Sequence, residues 1–120
     1  MQPEKPFLRV LEFRSFEEGG VVFAVAGEID LATVDQLTRA LHGVWHRAEA
    51  VTIDLRRVSF IDCLGMRALL DLSSEGAERG CRVEFIQGPR AVERVFKLTG
   101  ALEQLSFVDA ASPPVAATTA

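Results

Sequence analysis

Residues 51–72, Val-Thr-Ile-Asp-Leu-Arg-Arg-Val-Ser-Phe-Ile-Asp-Cys-Leu-Gly-Met-Arg-Ala-Leu-Leu-Asp-Leu, constrain the fold more than any other stretch of the chain. Val51, Ile53 and Leu55 alternate with polar residues as in a strand. A short loop is expected next, and then a helix opening on Asp62-Cys63-Leu64-Gly65. In that helix Gly65, Leu69, Leu72 and Gly76 share a core-facing line, and Arg67, Asp71, Ser74 and Glu78 a solvated one. A strand feeding a helix this closely is half of a β-α-β unit, so neighbouring strands are expected to run parallel to it. The helix start leaves backbone N–H groups without intrahelical partners and carries partial positive charge, which favours an anion or a thiolate. Cys63 stands at that end.

The rest of the chain supplies matching elements. Residues 7–13 read as a strand with a charged residue on each face, which suggests a sheet edge. Glu17-Glu18-Gly19-Gly20 signals a turn and residues 21–26 an apolar strand, together an antiparallel hairpin. Asp30 is the N-cap candidate of a helix over 31–48, with Val34, Leu37, Leu41, Val44 and Ala48 inward. A strand over 82–87 and a helix opened by Pro89 and stopped by Gly100 follow. Residues 102–108 fit a short helix or a strand equally. The expected fold is a single α/β domain over 7–110, with an N-terminal antiparallel hairpin, otherwise largely parallel strands, and helices on one face. Residues 1–6 and 111–120 read as frayed ends.

Composition narrows the function. Of 120 residues, 48% are hydrophobic and 25% charged, as in a globular domain. A net charge of −4 with no Lys/Arg cluster argues against nucleic-acid binding. No apolar run approaches the roughly 20 residues of a membrane span, and the first residues lack a signal-peptide layout, so a cytoplasmic protein is expected. Cys63 and Cys81 flank a helix roughly 24 Å long, too far for a mutual disulfide.

Most isolated signals have a bland explanation. His42 and His46 have the spacing of two zinc ligands, but no third ligand follows and they share a polar helix face with Asp35 and Arg39. Trp45 borders an apolar face and suits packing, and Cys81 suits a small buried hydrophobe. Ser59 is a polar residue on the strand edge, or a substitute phosphosite. Asp30 and Asp62 together suggest a carboxylate pair or a Mg²⁺ site, but no His, Lys or phosphate loop gives them a reaction. Met66 and Leu70 either widen the core stripe or form an apolar rim beside Cys63. No cofactor is called for.

Three segments at their mutual spacing resemble the STAS domain family, specifically its anti-sigma factor antagonists. Asp62-Cys63-Leu64-Gly65 resembles the family's Asp-Ser-(Ser/Thr)-Gly. Gly27-Glu28-Ile29-Asp30 resembles its Gly-Glu-Leu-Asp, whose last acidic residue lies beside the phosphorylation loop. Ala91 to Leu102 resembles the closing helix and its stop, with Ala101 inserted. The resemblance implies a non-enzymatic module that docks on an anti-sigma factor of the histidine-kinase-like ATPase type, itself a serine-protein kinase. Glu28, Asp30, Asp62 and Arg67 would supply polar contacts, Leu64 and Met66 apolar ones, and Gly65 belongs to the same loop. Cys63 replaces the Ser that the kinase phosphorylates. A thiol is not the hydroxyl this phosphoryl transfer uses, so the switch is expected to be lost and the binding-competent state retained. Redox control through Cys63 and a scaffold or transporter-associated role are the alternatives.

Overall fold

The computed structural model describes residues 7–15 and 18–110, and the backbone of residues 117–119. The expected flexible segment 1–6, position 17 of the first turn, and residues 111–116 lie outside the described residues.

β1 (Leu8–Arg14) and β2 (Gly20–Ile29) pair antiparallel, and the Ser15 N–H closes the hairpin on the Gly20 carbonyl at 3.1 Å. β3 (Ala50–Ile61) and β4 (Arg82–Ile86) then add in parallel, with α1 (Val34–His42) and α2 (Cys63–Glu78) as the crossovers. α3 (Arg90–Thr99), α4 (Ala101–Gln104) and the two-residue β5 (Phe107–Val108) complete the parallel part. β6 (Ala117–Thr119) pairs antiparallel with β1, giving the order β5-β4-β3-β2-β1-β6.

The helices share one face of the sheet: α1 touches α2, α2 touches α3 and β4, and α3 touches β3. Val21, Phe23 and Val25 of β2 point into that layer with Val51, Ile53 and Leu55 of β3, all essentially excluded from solvent. They meet Leu37 and Leu41 of α1, Leu69 and Leu72 of α2, and Val92 and Phe96 of α3. Each such side chain contributes about 1.5–3 kcal/mol when fully buried, so this layer is what holds the fold together.

Several boundaries differ from the sequence reading, each for a local reason. α1 ends at His42, and Gly43 opens a series of turns over 43–47. Val44 and Ala48 remain buried beyond it, because the turns keep the chain against the same core. Thr33, not Asp30, is the N-cap of α1; Asp30 organises the turn just before it. No loop separates β3 from α2. Register shifts between Ala24 and Ala26 and between Gly27 and Glu28 let β3 stay paired with β2 as far as Ile61. Residues 102–108 are both alternatives in turn, helix and then strand. β1 is not a bare edge, since residues 117–119 of the tail, expected to be frayed, form a strand along it. The backbone N–H and C=O row of β1 favours such pairing over fraying.

Gly100 ends α3 with φ 77, a left-handed conformation that glycine adopts without strain. Trp45 is 8% exposed and packs as expected. Its indole N–H makes no hydrogen bond of standard geometry among the described residues. His42 bridges α1 to α2 through Glu75 at 3.0 Å, and His46 is exposed. Among the described residues no group of side chains could hold a metal ion, and no helix is long and apolar enough to cross a membrane.

Candidate functional site

The carboxyl ends of β2 and β3 project beyond the other strands and meet the start of α2. The Asp62 N–H donates to the Ile29 carbonyl at 3.2 Å, which ties the two strand ends together. Asp62 is extended, and its Oδ1 accepts the Gly65 N–H at 2.7 Å. This is an N-cap that satisfies one orphan donor of the helix and places negative charge at its positive end. The expected polar contact Asp62 is thus engaged within the chain before any partner arrives.

Gly65 follows from the same geometry. A Cβ built there would lie 2.4 Å from the Ile29 carbonyl oxygen and 2.9 Å from its carbon. The first turn of α2 can sit against the end of β2 only if this residue has no side chain. Gly65 and Met66 are both buried, Met66 at 2% exposure, and Met66 belongs to the main core. In the free chain Met66 thus widens the core stripe, one of its two expected roles, and Gly65 offers only backbone. Helical periodicity turns Met66 inward beside Leu69, and Leu70 is half-buried against the same core.

Asp30 is likewise occupied. Its Oδ1 accepts from the Ala32 N–H at 3.0 Å and the Thr33 N–H at 3.2 Å. Thr33, buried, receives the Asp30 N–H on its hydroxyl at 3.1 Å and donates that hydroxyl to the Glu28 carbonyl at 2.6 Å. The acidic motif at 28–30 therefore acts first as a scaffold for the turn that follows. Ser59 donates its hydroxyl to the Gly27 carbonyl at 3.2 Å and fastens β3 to β2.

What remains at the surface is Cys63, Leu64 and Arg67 on the opening turns of α2. Cys63 is exposed, whereas Cys81 is buried, as expected for a small hydrophobe, and burial pushes its thiol pKa up. Arg67 is exposed beside Asp71 at 3.6 Å. Leu64 is 54% exposed, and two more large apolar residues stand at the same end: Leu31 at 71% and Phe60 at 48%. Phe60 faces Glu28 in the β2–β3 register, and Leu31 follows Asp30 directly. The sequence reading names neither as a contact: Leu31 is the first residue of the expected helix over 31–48, and Phe60 falls in the loop expected before the helix at Asp62. The β2–β3 register shift that accompanies Phe60's exposure has no signature in composition or spacing. Leu31, Phe60 and Leu64 are thus exposed large apolar residues on the segments that follow β2, end β3 and open α2.

The fold matches known structures. An anti-sigma factor antagonist from Mycobacterium paratuberculosis superposes with a TM-score of 0.68 at 28% identity, over 84% of this chain and 85% of that one. The anti-sigma factor antagonist SpoIIAA in its unphosphorylated form gives 0.67 at 19%, over 83% and 89%. A sulfate transporter family protein from Wolinella succinogenes gives 0.69 at 20%, over 81% and 83%. No curated protein sequence matches the chain. The STAS domain profile, however, matches residues 14–116, spanning β2, both crossovers and the Asp62–Gly65 helix start: the chain belongs to the STAS domain family.

Proposed function

We propose that this protein is an anti-sigma factor antagonist that sequesters an anti-sigma factor of the ATPase-kinase type on the surface around the start of α2. Antagonists of this family bind and do not catalyse. The observation that carries the reading is the exposed Cys63 on the first turn of α2, in a chain 28% identical to an antagonist over most of its length. Leu64, Leu31 and Phe60 supply the apolar contact, and Cys63, Arg67 and Glu28 the rim. Asp30, Asp62 and Gly65 act by holding that surface in shape. Because Cys63 occupies the phosphosite-equivalent position, the kinase has no hydroxyl to modify and the antagonist stays in its binding-competent state. The likeness to transporter domains, at 20% identity or below, supports the fold alone and does not favour a transport role.

The test is affinity capture from the source cell with the wild type and Cys63→Ser side by side. Both should retain the same ATPase-type protein, and with ATP only the Ser variant should gain the mass of a phosphate and release it. Failure of either bait to retain such a protein refutes the assignment. Phosphorylation of the wild type would refute the loss of switching.

A further inference from the structure

Two short rows of side chains cross the sheet where β2 and β3 end, on the face away from the helices. Leu8, Val25, Ile29, Val58 and Ile61 point into the core, and in a pleated sheet their chain neighbours point the other way. The pairings put Arg9, Ala26 and Arg57 side by side. One step on, Glu28 faces Phe60 and its N–H donates to the Phe7 carbonyl at 2.8 Å, so Phe7, Glu28 and Phe60 form the next row. The register shifts of β2 against β3 leave Arg57 and Phe60 exposed on this face.

Phe7 and Phe60 are the large exposed rings of the two rows, at 53% and 48%. The Arg9 guanidinium lies 6.0 Å from the centre of the Phe7 ring. Among the described residues neither Arg9 nor Arg57 forms an ion pair, and neither does Glu28. Asp54 and Glu84, the other carboxylates of this face, are bonded to Arg56 and Arg82.

The rows are complementary to each other. One holds a carboxylate between two aromatic rings, and the other a methyl group between two guanidiniums. Arg9 and Arg57 stand about 10 Å apart across two interstrand gaps, which leaves room for one carboxylate between them. A twofold axis running between the rows, across the strands, turns each row of one copy onto the other row of a second copy. We propose that the chain forms a symmetric dimer through this face. Glu28 of each copy then reaches between the second copy's Arg9 and Arg57, over its Ala26. Phe7 and Phe60 lie against the same two guanidiniums, an attractive arrangement for a cation and a ring face. A twofold interface requires such a self-complementary patch, and arginine and aromatic residues are enriched at interface cores. The dimer also covers Phe60 and Glu28 of the docking surface proposed above. Where that reading holds, self-association and anti-sigma factor binding exclude each other.

Sedimentation velocity of the full-length chain alone tests the dimer, with no anti-sigma factor present, so its outcome is separate from that of the capture experiment. The wild type should pass from monomer to dimer as concentration rises. Glu28→Arg, and in a second chain Arg9→Glu with Arg57→Glu, should each weaken self-association by about tenfold or more, because like charges then meet. Mixing the two variants should restore a dimer, since every contact is again between opposite charges. Circular dichroism checks that each variant folds, and Phe7→Ser, which alters only an exposed ring, should weaken the dimer without changing charge. A wild type that stays monomeric, a dimer that survives these substitutions, or a mixture that stays monomeric would each overturn the proposal.

Discussion

Replacing Gly65 with Ala separates an argument from helix propensity from one based on tertiary contact, because the two predict opposite signs. In an isolated helix, Ala is better than Gly by about 1 kcal/mol. In the folded protein the new methyl would stand 2.4 Å from the Ile29 carbonyl oxygen and 2.9 Å from Ile29 Cγ2. An ordinary contact needs nearly an ångström more, and the obstacle is backbone. The first turn of α2 must therefore move, at the expense of the Gly65 N–H bond to Asp62 at 2.7 Å or the Asp62 N–H bond to Ile29 at 3.2 Å. A hydrogen bond to a charged acceptor contributes about 1.5–3 kcal/mol, and overpacking costs about 1–3 kcal/mol. After the propensity gain, a net loss of about 1–3 kcal/mol is expected, which lowers Tm by roughly 5–15 °C for a domain this size. Urea denaturation and calorimetry measure it. Gly43→Ala is the control: Gly43 has helical φ −67 and ψ −16, and a Cβ added there comes no closer than 3.4 Å to any neighbour, so that variant should gain up to about 1 kcal/mol. A Gly65→Ala protein as stable as the wild type would refute the close-approach argument.

Other perturbations probe the remaining links. Asp62→Ala removes the cap of α2 and should cost about 1 kcal/mol in urea denaturation; no change would mean the cap is not what orders this helix start. Leu64→Ser and Phe60→Ser, both exposed, should leave stability within about 0.5 kcal/mol, while weakening binding of the proposed anti-sigma factor partner at least tenfold by titration. Unchanged affinity would move the docking surface elsewhere. Peroxide should leave the mass at Cys63 and the partner affinity unaltered if regulation is absent; a sulfenate or mixed disulfide with altered affinity would favour the redox alternative. Asp54 tests acid stability. Burial alone would raise its pKa, but the Arg56 side chain, bonded at 2.8 and 3.0 Å, and the Arg56 N–H hold it below the ordinary 3.8. The unfolded chain thus takes up this proton at higher pH than the folded one. The stability from this group is present above about pH 4 and lost as pH falls through the lowered value. Arg56→Ala should narrow the difference in unfolding free energy between pH 7 and pH 3, and an unchanged difference would refute that account.

Local patterns carried much of this protein without tertiary information. Alternation in β2 and β3, the 3.6-residue stripe of α2, the Pro89 opening and the Gly100 stop are properties of neighbouring residues, and they recur in the structure where the chain predicts them. Together with the Asp62–Gly65 and Gly27–Asp30 spacing they were enough to recognise the family. The site was only partly legible. Spacing placed Cys63, Leu64 and Arg67 on the opening turns of α2, but Met66 and Gly65 turned inward and Leu31 and Phe60 outward. Exposure there depends on how α2 abuts β2 and on where β3 slips register, and both are set by residues distant in sequence.

The same division holds for the molecule. Sequence alone determined the order of the main elements and the cysteine on the opening turn of α2, because each depends on chain-local chemistry. Tertiary structure decided which apolar residues surround that cysteine, why position 65 must be glycine, and that residues 117–119 lie beside β1. Those outcomes follow from contacts between strands and helices that only the closed sheet brings together.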